Sequence, residues 1–190
     1  MVVVSAAGKR FSDDHKLTDL LYLCHAHLKY GVACDSVFDM IRSRYMEIRD
    51  ELGLKTGLES EFDALRKKMD KGISQDELVS RGEYFAARLM ADYLGYDFLD
   101  SELWLRFKLD GTVDQEVSYE ALSRAASGRR VGVPAARPVP DSESGTQSPV
   151  PLPRTTDRSV FGISAAVRAA EYIGASPKQS ISTGWMKRTS

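Results

Sequence analysis

Val2-Val3-Val4-Ser5-Ala6-Ala7-Gly8, near the start of the chain, predicts a buried β-strand that runs into a loop of small residues. Consecutive β-branched residues are typical of a strand that is covered on both faces, as in parallel sheets. The hydroxyl of Ser5 would then lie at the carboxyl end of the strand, where open α/β sheets bind their ligands.

Four helical patterns follow this strand, each with apolar residues at intervals of three and four and each ended by a glycine. Their faces run over 17–28, 37–52, 58–69 and 78–93, and the terminating glycines are Gly31, Gly53, Gly72 and Gly95. Asp35 or Ser36 is expected to cap the second helix. Ser74 and Glu77 have the spacing of a capping box for the fourth.

The next part of the chain mixes strand and helix signals. Strands are predicted at Phe98-Leu99, at Trp104-Leu105-Arg106-Phe107 and over 130–134, with a turn at Asp110-Gly111-Thr112 and a short helix over 119–126. A strand, several helices, a strand, a helix and a strand together indicate an α/β fold rather than a helical bundle.

The composition changes near residue 130. All 7 prolines follow residue 133, and the chain is net acidic before residue 128 and net basic after it. A segment dominated by Pro, Ser, Thr and Arg cannot bury enough apolar surface to offset its ordering entropy. We therefore expect one domain over 1–134 and a mostly disordered tail over 135–190, with disorder at 136–160 and a short helix at 163–173.

Several function classes are disfavoured. With 26 basic and 27 acidic residues the chain has no overall positive field for nucleic acid, and no run approaches the length of about 18 apolar residues that spans a bilayer. Arg66-Lys67-Lys68 is interpreted as a solvated helix face. Cys24-His25-Ala26-His27 lacks the ligand spacing of structural zinc, so Cys24 is expected in the core and no metal site is predicted. Two cysteines favour the reducing cytoplasm.

Two places are hard to explain by packing alone. One is Ser5 at the end of its strand. The other is Ser80-Arg81-Gly82-Glu83, inside a helical pattern, because a mid-helix glycine costs about 1 kcal/mol relative to alanine and marks the close approach of another element or a ligand. Glu83 could offer a carboxylate to a substrate ammonium, or it could be an exposed acid beside a packing glycine.

Three blocks resemble the N-terminal part of bacterial aspartokinase, in the same order and at similar spacing. The three blocks are residues 2–6, Lys16-Leu17-Thr18-Asp19-Leu20-Leu21 and residues 79–91. Two further segments, 110–114 and 131–134, resemble later landmarks of the same domain. The resemblance implies an incomplete amino-acid-kinase α/β/α sandwich. It also implies transfer of the γ-phosphoryl group of ATP, with Mg²⁺, to the side-chain carboxylate of L-aspartate. This is the first step of lysine, threonine and methionine synthesis, in a family whose members are often homo-oligomers.

The resemblance also implies roles for single residues. Ser5 matches the substrate-contacting serine, Thr18 the threonine that hydrogen-bonds aspartate, and Glu83 the glutamate that pairs with the α-ammonium. Arg81 and Gly82 would support this group. The catalytic residues stay unknown, because neither the family's Lys-Phe-Gly-Gly strand nor its Arg-Gly-Gly-Ser-Asp motif has a counterpart here. A change of reading frame near residue 130 would explain both the missing motif and the switch in composition.

Two other functions stay open. One is a different amino-acid-kinase superfamily enzyme, such as another amino-acid or nucleotide kinase. The other is a non-catalytic interaction module made of an acidic helical domain and a basic tail.

We expect no measurable ATP-dependent phosphorylation of L-aspartate by this polypeptide alone, because the residues that hold the ATP phosphates in the family are missing from it. A hydroxamate assay, which traps the acyl phosphate, measures this, with a full-length aspartokinase as the positive control. Turnover at normal enzymatic rates would contradict the expectation.

Overall fold

A computed structural model describes residues 1–135, so the predicted tail and its helix lie outside the described part of the chain. A 3-10 turn at Ser101–Leu103 lies between β2 and α5. The elements, in chain order, are β1 (Val2–Val4), α1 (Leu17–Lys29), α2 (Asp35–Glu51), α3 (Glu59–Lys71), α4 (Gln75–Leu94), β2 (Asp97–Phe98), α5 (Gln115–Ala126) and β3 (Val131–Pro134).

The three strands of the described residues form one parallel sheet in the order β1-β3-β2, so the strand that comes last of the three in sequence lies in the centre. Val3 is in register with Val133, and Phe98 is in register with Gly132. The ladder continues past the strand ends, where the Ala135 amide donates to the Val4 carbonyl at 2.8 Å. β1 and β2 each pair with β3 and not with each other, so β3 is the strand that joins them into one sheet.

Helices cover both faces of this sheet. On one face, Val4 packs with Ala87 and Met90 of α4, and the Cβ position of Gly132 lies 3.2 Å from the Ala91 Cβ. On the other face, the apolar side chains come from α5, the central strand and the segment after β2, and the buried ones are Leu99, Trp104, Leu105, Leu122, Ala126, Val131 and Val133. This layering confirms the predicted α/β fold class.

The first four helices enclose a second core that the sheet does not share. Its centre is an aromatic group in which the Phe62 and Phe85 rings stack with centroids 4.1 Å apart, and Phe38 and Tyr45 lie at the edges of Phe62. None of the helices in residues 1–135 has the length and apolar character that a membrane crossing requires.

Most of the predicted helix ends are confirmed, and the exceptions are the cap of α2 and the start of α5, which begins at Gln115 rather than at residue 119. The Ser74 hydroxyl accepts from the Glu77 amide at 3.2 Å, and Gly95 ends α4 in the left-handed region with φ of 64°. The predicted cap of α2 is wrong: Cys34 is the capping residue and makes no side-chain cap. Asp35 lies instead in the first turn, where its charge favours the helix dipole, and its carboxylate accepts from Arg66 at 2.6 Å.

The strand predicted at Trp104-Leu105-Arg106-Phe107 is also wrong. Asp100 caps a 3-10 turn through the Glu102 amide, and only Phe107 joins a bridge, to Val113. Trp104 and Leu105 are consecutive and both buried, so the segment lacks the alternation of a half-buried strand. The predicted turn at Asp110-Gly111-Thr112 is confirmed, since Asp110 accepts from the Thr112 amide at 2.9 Å.

Replacing Phe62 by alanine should lower the free energy of unfolding by about 3–5 kcal/mol, because it removes a fully buried ring from the centre of the helical core. Urea denaturation followed by circular dichroism measures the loss. Phe11→Ala is the matched control: this ring is 60% exposed, and its loss should change stability by less than about 0.5 kcal/mol. Equal losses in the two variants would contradict the assigned core.

Candidate functional site

The loop after β1 meets α4 at Gly82. A Cβ built on Gly82 would lie 3.2 Å from the Ala6 Cβ and 3.0 Å from Cδ1 of Leu21 in α1. At these distances an added methyl would require Leu21 and Ala6 to shift by a few tenths of an ångström, so the glycine is where the loop, α1 and α4 approach one another closely. The close approach predicted from a mid-helix glycine is therefore confirmed.

This contact determines where Ser5 lies relative to Glu83. Ser5 stands between Val4, which packs with Ala87, and Ala6, which lies against Gly82. Ala87 is four residues after Glu83 and therefore on the same helix face. The β1 loop and α4 thus run alongside each other in opposite directions, and Ser5 and Glu83 occupy the same stretch of that contact.

Glu83 is a buried acid, with 8% of its surface exposed. Burial raises the pKa of its carboxyl to about 7, and only a backbone hydrogen bond opposes this effect. Among the described residues no cationic side chain pairs with it: Arg81 binds Glu102, and Arg88 binds Glu61. An acid buried without a counter-charge is costly, so it calls for an explanation beyond packing.

The other predicted residues lie around the same point. Thr18 is half-buried in the first turn of α1, one turn before Leu21, which touches Gly82. Arg81 lies on another side of α4, where its guanidinium stacks over the Tyr84 ring at 5.0 Å and bonds Glu102 at 3.2 Å. Ser5, Thr18 and Glu83 are thus near neighbours in the chain of the three residues that meet there, Ala6, Leu21 and Gly82, and their roles toward a substrate stay predictions.

Sequence reasoning missed two residues of α2 that hold this region. Arg44 donates to the carbonyls of His15 at 2.6 Å and Gly8 at 3.2 Å, and it forms a buried ion pair with Asp14. The Asp14 carboxylate also accepts from the amide of Arg10 at 2.9 Å. Both ends of the loop between Ser5 and Thr18 are therefore tied to one guanidinium.

Asp14 is ionised through this network. The hydrogen bond from the Arg10 side chain, opposed by burial, brings the pKa of Asp14 far below its usual range, and the charge of Arg44 acts in the same direction. In the sequence, the ion pair of Asp14 and Arg44 is visible only as an acid in a loop and a basic residue near an apolar helix face. Nothing in the spacing links the two.

Tyr45, the second missed residue, is fully buried, and its hydroxyl donates to the Gly82 carbonyl at 2.7 Å. Burial raises the pKa of Tyr45, and the charge of Glu83 raises it further, while the Ala7 amide acts in the opposite direction. The hydroxyl is therefore near both sides of the contact between the loop and α4. A tyrosine on the apolar face of a helix is expected to be buried and to need a hydrogen-bond partner for its hydroxyl. The position of Tyr45 in the sequence therefore indicates that such a bond exists, but not with which residue.

A cavity of about 280 Å³ lies over α1 and α2, beside Asp14 and Arg44. Its lining includes none of Ser5, Thr18 and Glu83. Asp14 and Arg44 in its lining pair with each other, and we assign the cavity no ligand.

The cysteines belong to the core, as the sequence predicts for Cys24. Burial, and after it a hydrogen bond with Cys34, raises the pKa of Cys24 to about 12. Within residues 1–135 no group of three or more His, Cys, Asp or Glu side chains is arranged to hold a metal ion.

No protein-family model matches this chain, and no curated protein matches it. Among solved structures, the aspartate kinase of Clostridium acetobutylicum is similar to it, with a TM-score of 0.66 and 38% sequence identity. The match covers 70% of this chain and 31% of that kinase, so the chain spans about a third of the length of the protein it matches. The resemblance predicted from the sequence is confirmed, and this chain is aspartokinase-like in both sequence and fold over the matched part.

Proposed function

We propose that this chain carries the L-aspartate-binding part of an aspartokinase. The observation that supports the proposal is the buried carboxylate of Glu83, which has no cationic partner among the described residues and lies along the loop that contains Ser5. The α-ammonium of an amino acid would supply the missing positive charge. A carboxylate that faces an ammonium in a buried site forms a strong, oriented contact.

The remaining groups suit the rest of a small zwitterion. The hydroxyls of Ser5 and Thr18 come from two segments that meet at Gly82, and a hydroxyl can donate to a substrate carboxylate. Gly82 would serve by allowing the close approach. Arg81 would support the site indirectly, since Glu102 and Tyr84 already engage its guanidinium.

The phosphate-binding part of an aspartokinase does not fit the described residues. Lys9 donates to the Ser12 carbonyl at 3.0 Å, within its own loop, and residues 1–135 hold no cluster of acidic side chains suited to Mg²⁺. We therefore assign ATP and Mg²⁺ to no residue within 1–135. The proposal for the whole enzyme adds four points. They are transfer of the γ-phosphoryl group to aspartate, a place in the pathway to lysine, threonine and methionine, a cytoplasmic location and a homo-oligomeric state.

Millimolar L-aspartate should raise the melting temperature of the protein, and L-glutamate and UMP should not. Binding should also be about tenfold weaker at pH 6 than at pH 8, because the pKa of Glu83 is about 7 and the ammonium needs its ionised form. Thermal shift assays and calorimetry at the two pH values measure both effects.

Glu83→Gln is the variant for this experiment, and Glu51→Gln, the same change at an exposed position, is the control. Only Glu83→Gln should lose the response to aspartate. A response kept in Glu83→Gln would remove the basis of the proposal, and equal responses to L-glutamate or UMP would favour another superfamily activity.

The same substitution should stabilise the free protein at high pH. The pKa of Glu83 is raised from 4.5 to about 7 on folding, so the folded state binds its proton more tightly. The contribution of Glu83 to the free energy of unfolding is therefore fully present below pH 4.5 and is lost as the pH rises through 7, by about 3 kcal/mol in all. Urea denaturation from pH 5 to pH 8 should show this loss in the wild type and in Glu51→Gln, and a smaller one in Glu83→Gln. Parallel pH profiles would contradict the burial of an unpaired acid.

A further inference from the structure

Tyr45 stands where the three segments of the proposed site meet. Its hydroxyl donates to the Gly82 carbonyl at 2.7 Å and lies 3.8 Å from the Cβ position of the same glycine. The Cβ of Ala6 lies 3.2 Å from that position. One phenol oxygen therefore lies beside the residue that precedes Glu83 and close to the loop that follows Ser5.

The hydrogen bond to Gly82 is not needed for the helix itself. A carbonyl oxygen has two lone pairs, and a mid-helix carbonyl uses one of them within the helix. Tyr45 occupies the second, which fixes the rotation and height of α4 relative to α2 at one residue. Because Gly82 has no side chain, the phenol can reach the backbone there.

The helix that carries Tyr45 also holds the other side of the site. Arg44, the preceding residue, binds the carbonyls of Gly8 and His15, at the two ends of the loop between Ser5 and Thr18. Consecutive residues of α2 thus fix the loop and α4 in one frame. The ring of Tyr45 is itself held by Phe85, with centroids 5.4 Å apart.

We propose that Tyr45 is a positioning residue of the aspartate site, which holds Glu83 against the loop of Ser5 through its hydrogen bond to Gly82. This inference rests on the proposed function, and it adds a residue that does not itself touch the substrate. Without the hydroxyl, α4 and the loop can separate, water reaches Glu83, and the carboxylate loses its alignment with the ammonium.

Tyr45→Phe removes only the hydroxyl and keeps the ring packing. Tyr84→Phe is the matched control, because it also removes one tyrosine hydroxyl, here from a half-buried residue next to Glu83 whose hydroxyl interacts with Glu61. Both variants should be folded at 20 °C by circular dichroism. The dissociation constant for L-aspartate at pH 8 should rise about tenfold in Tyr45→Phe and less than about twofold in Tyr84→Phe.

A second measurement needs no ligand. Titration of the Glu83 carboxyl carbon by NMR should show a midpoint near 7 in the wild type and in Tyr84→Phe, and a lower midpoint in Tyr45→Phe, because water then reaches the acid. If Tyr45 only stabilises the core, its replacement by phenylalanine should lower the free energy of unfolding and leave this midpoint unchanged.

The outcomes separate the two proposals. Normal aspartate binding in Tyr45→Phe together with an unchanged midpoint overturns the positioning role and leaves the proposed function intact. No aspartate binding in the wild type overturns the proposed function. In that case the titration alone decides: a lowered midpoint in Tyr45→Phe supports Tyr45 as the residue that positions Glu83, and an unchanged one overturns it.

Discussion

The close approach at Gly82 is the constraint on which the rest of the site depends. Three segments reach the same point of α4: the loop after β1, the first turns of α1 and the phenol of Tyr45. A side chain at this position would require Ala6 and Leu21 to move by a few tenths of an ångström. The absence of one Cβ therefore sets the distance between the β1 loop and the helix that carries Glu83.

Two buried charged groups lie near this contact, and they differ in whether an opposite charge offsets the free-energy cost of their burial. The pair of Asp14 and Arg44 is buried but fully compensated by hydrogen bonds to the loop backbone. Glu83 is buried without a cationic partner among the described residues, and its pKa is raised. Compensated charges hold a structure in place, whereas an uncompensated one is a common mark of a functional site.

Much of this architecture could be predicted from the sequence, because local signals determine it. The three valines, the glycines that end the helices and the capping box of Ser74 are local, and they led to the correct order of elements. The failures have a different origin. Trp104 and Leu105 have the residue types of a strand, but they follow a 3-10 turn that Asp100 caps. The hydrogen-bond partners of Arg44 and Tyr45 lie about 30 residues or more away in the chain. Periodicity assigned Tyr45 to the core but carries no information about its hydroxyl.

The strand order has a consequence for how the molecule is made. Since β1 and β2 contact only the central β3 within the described sheet, Val2–Val4 has no strand partner until Val131–Pro134 has left the ribosome. The helical core of α1–α4 can assemble on the nascent chain well before that moment. During synthesis an apolar strand is therefore present beside the helical unit before its partner strand has been made.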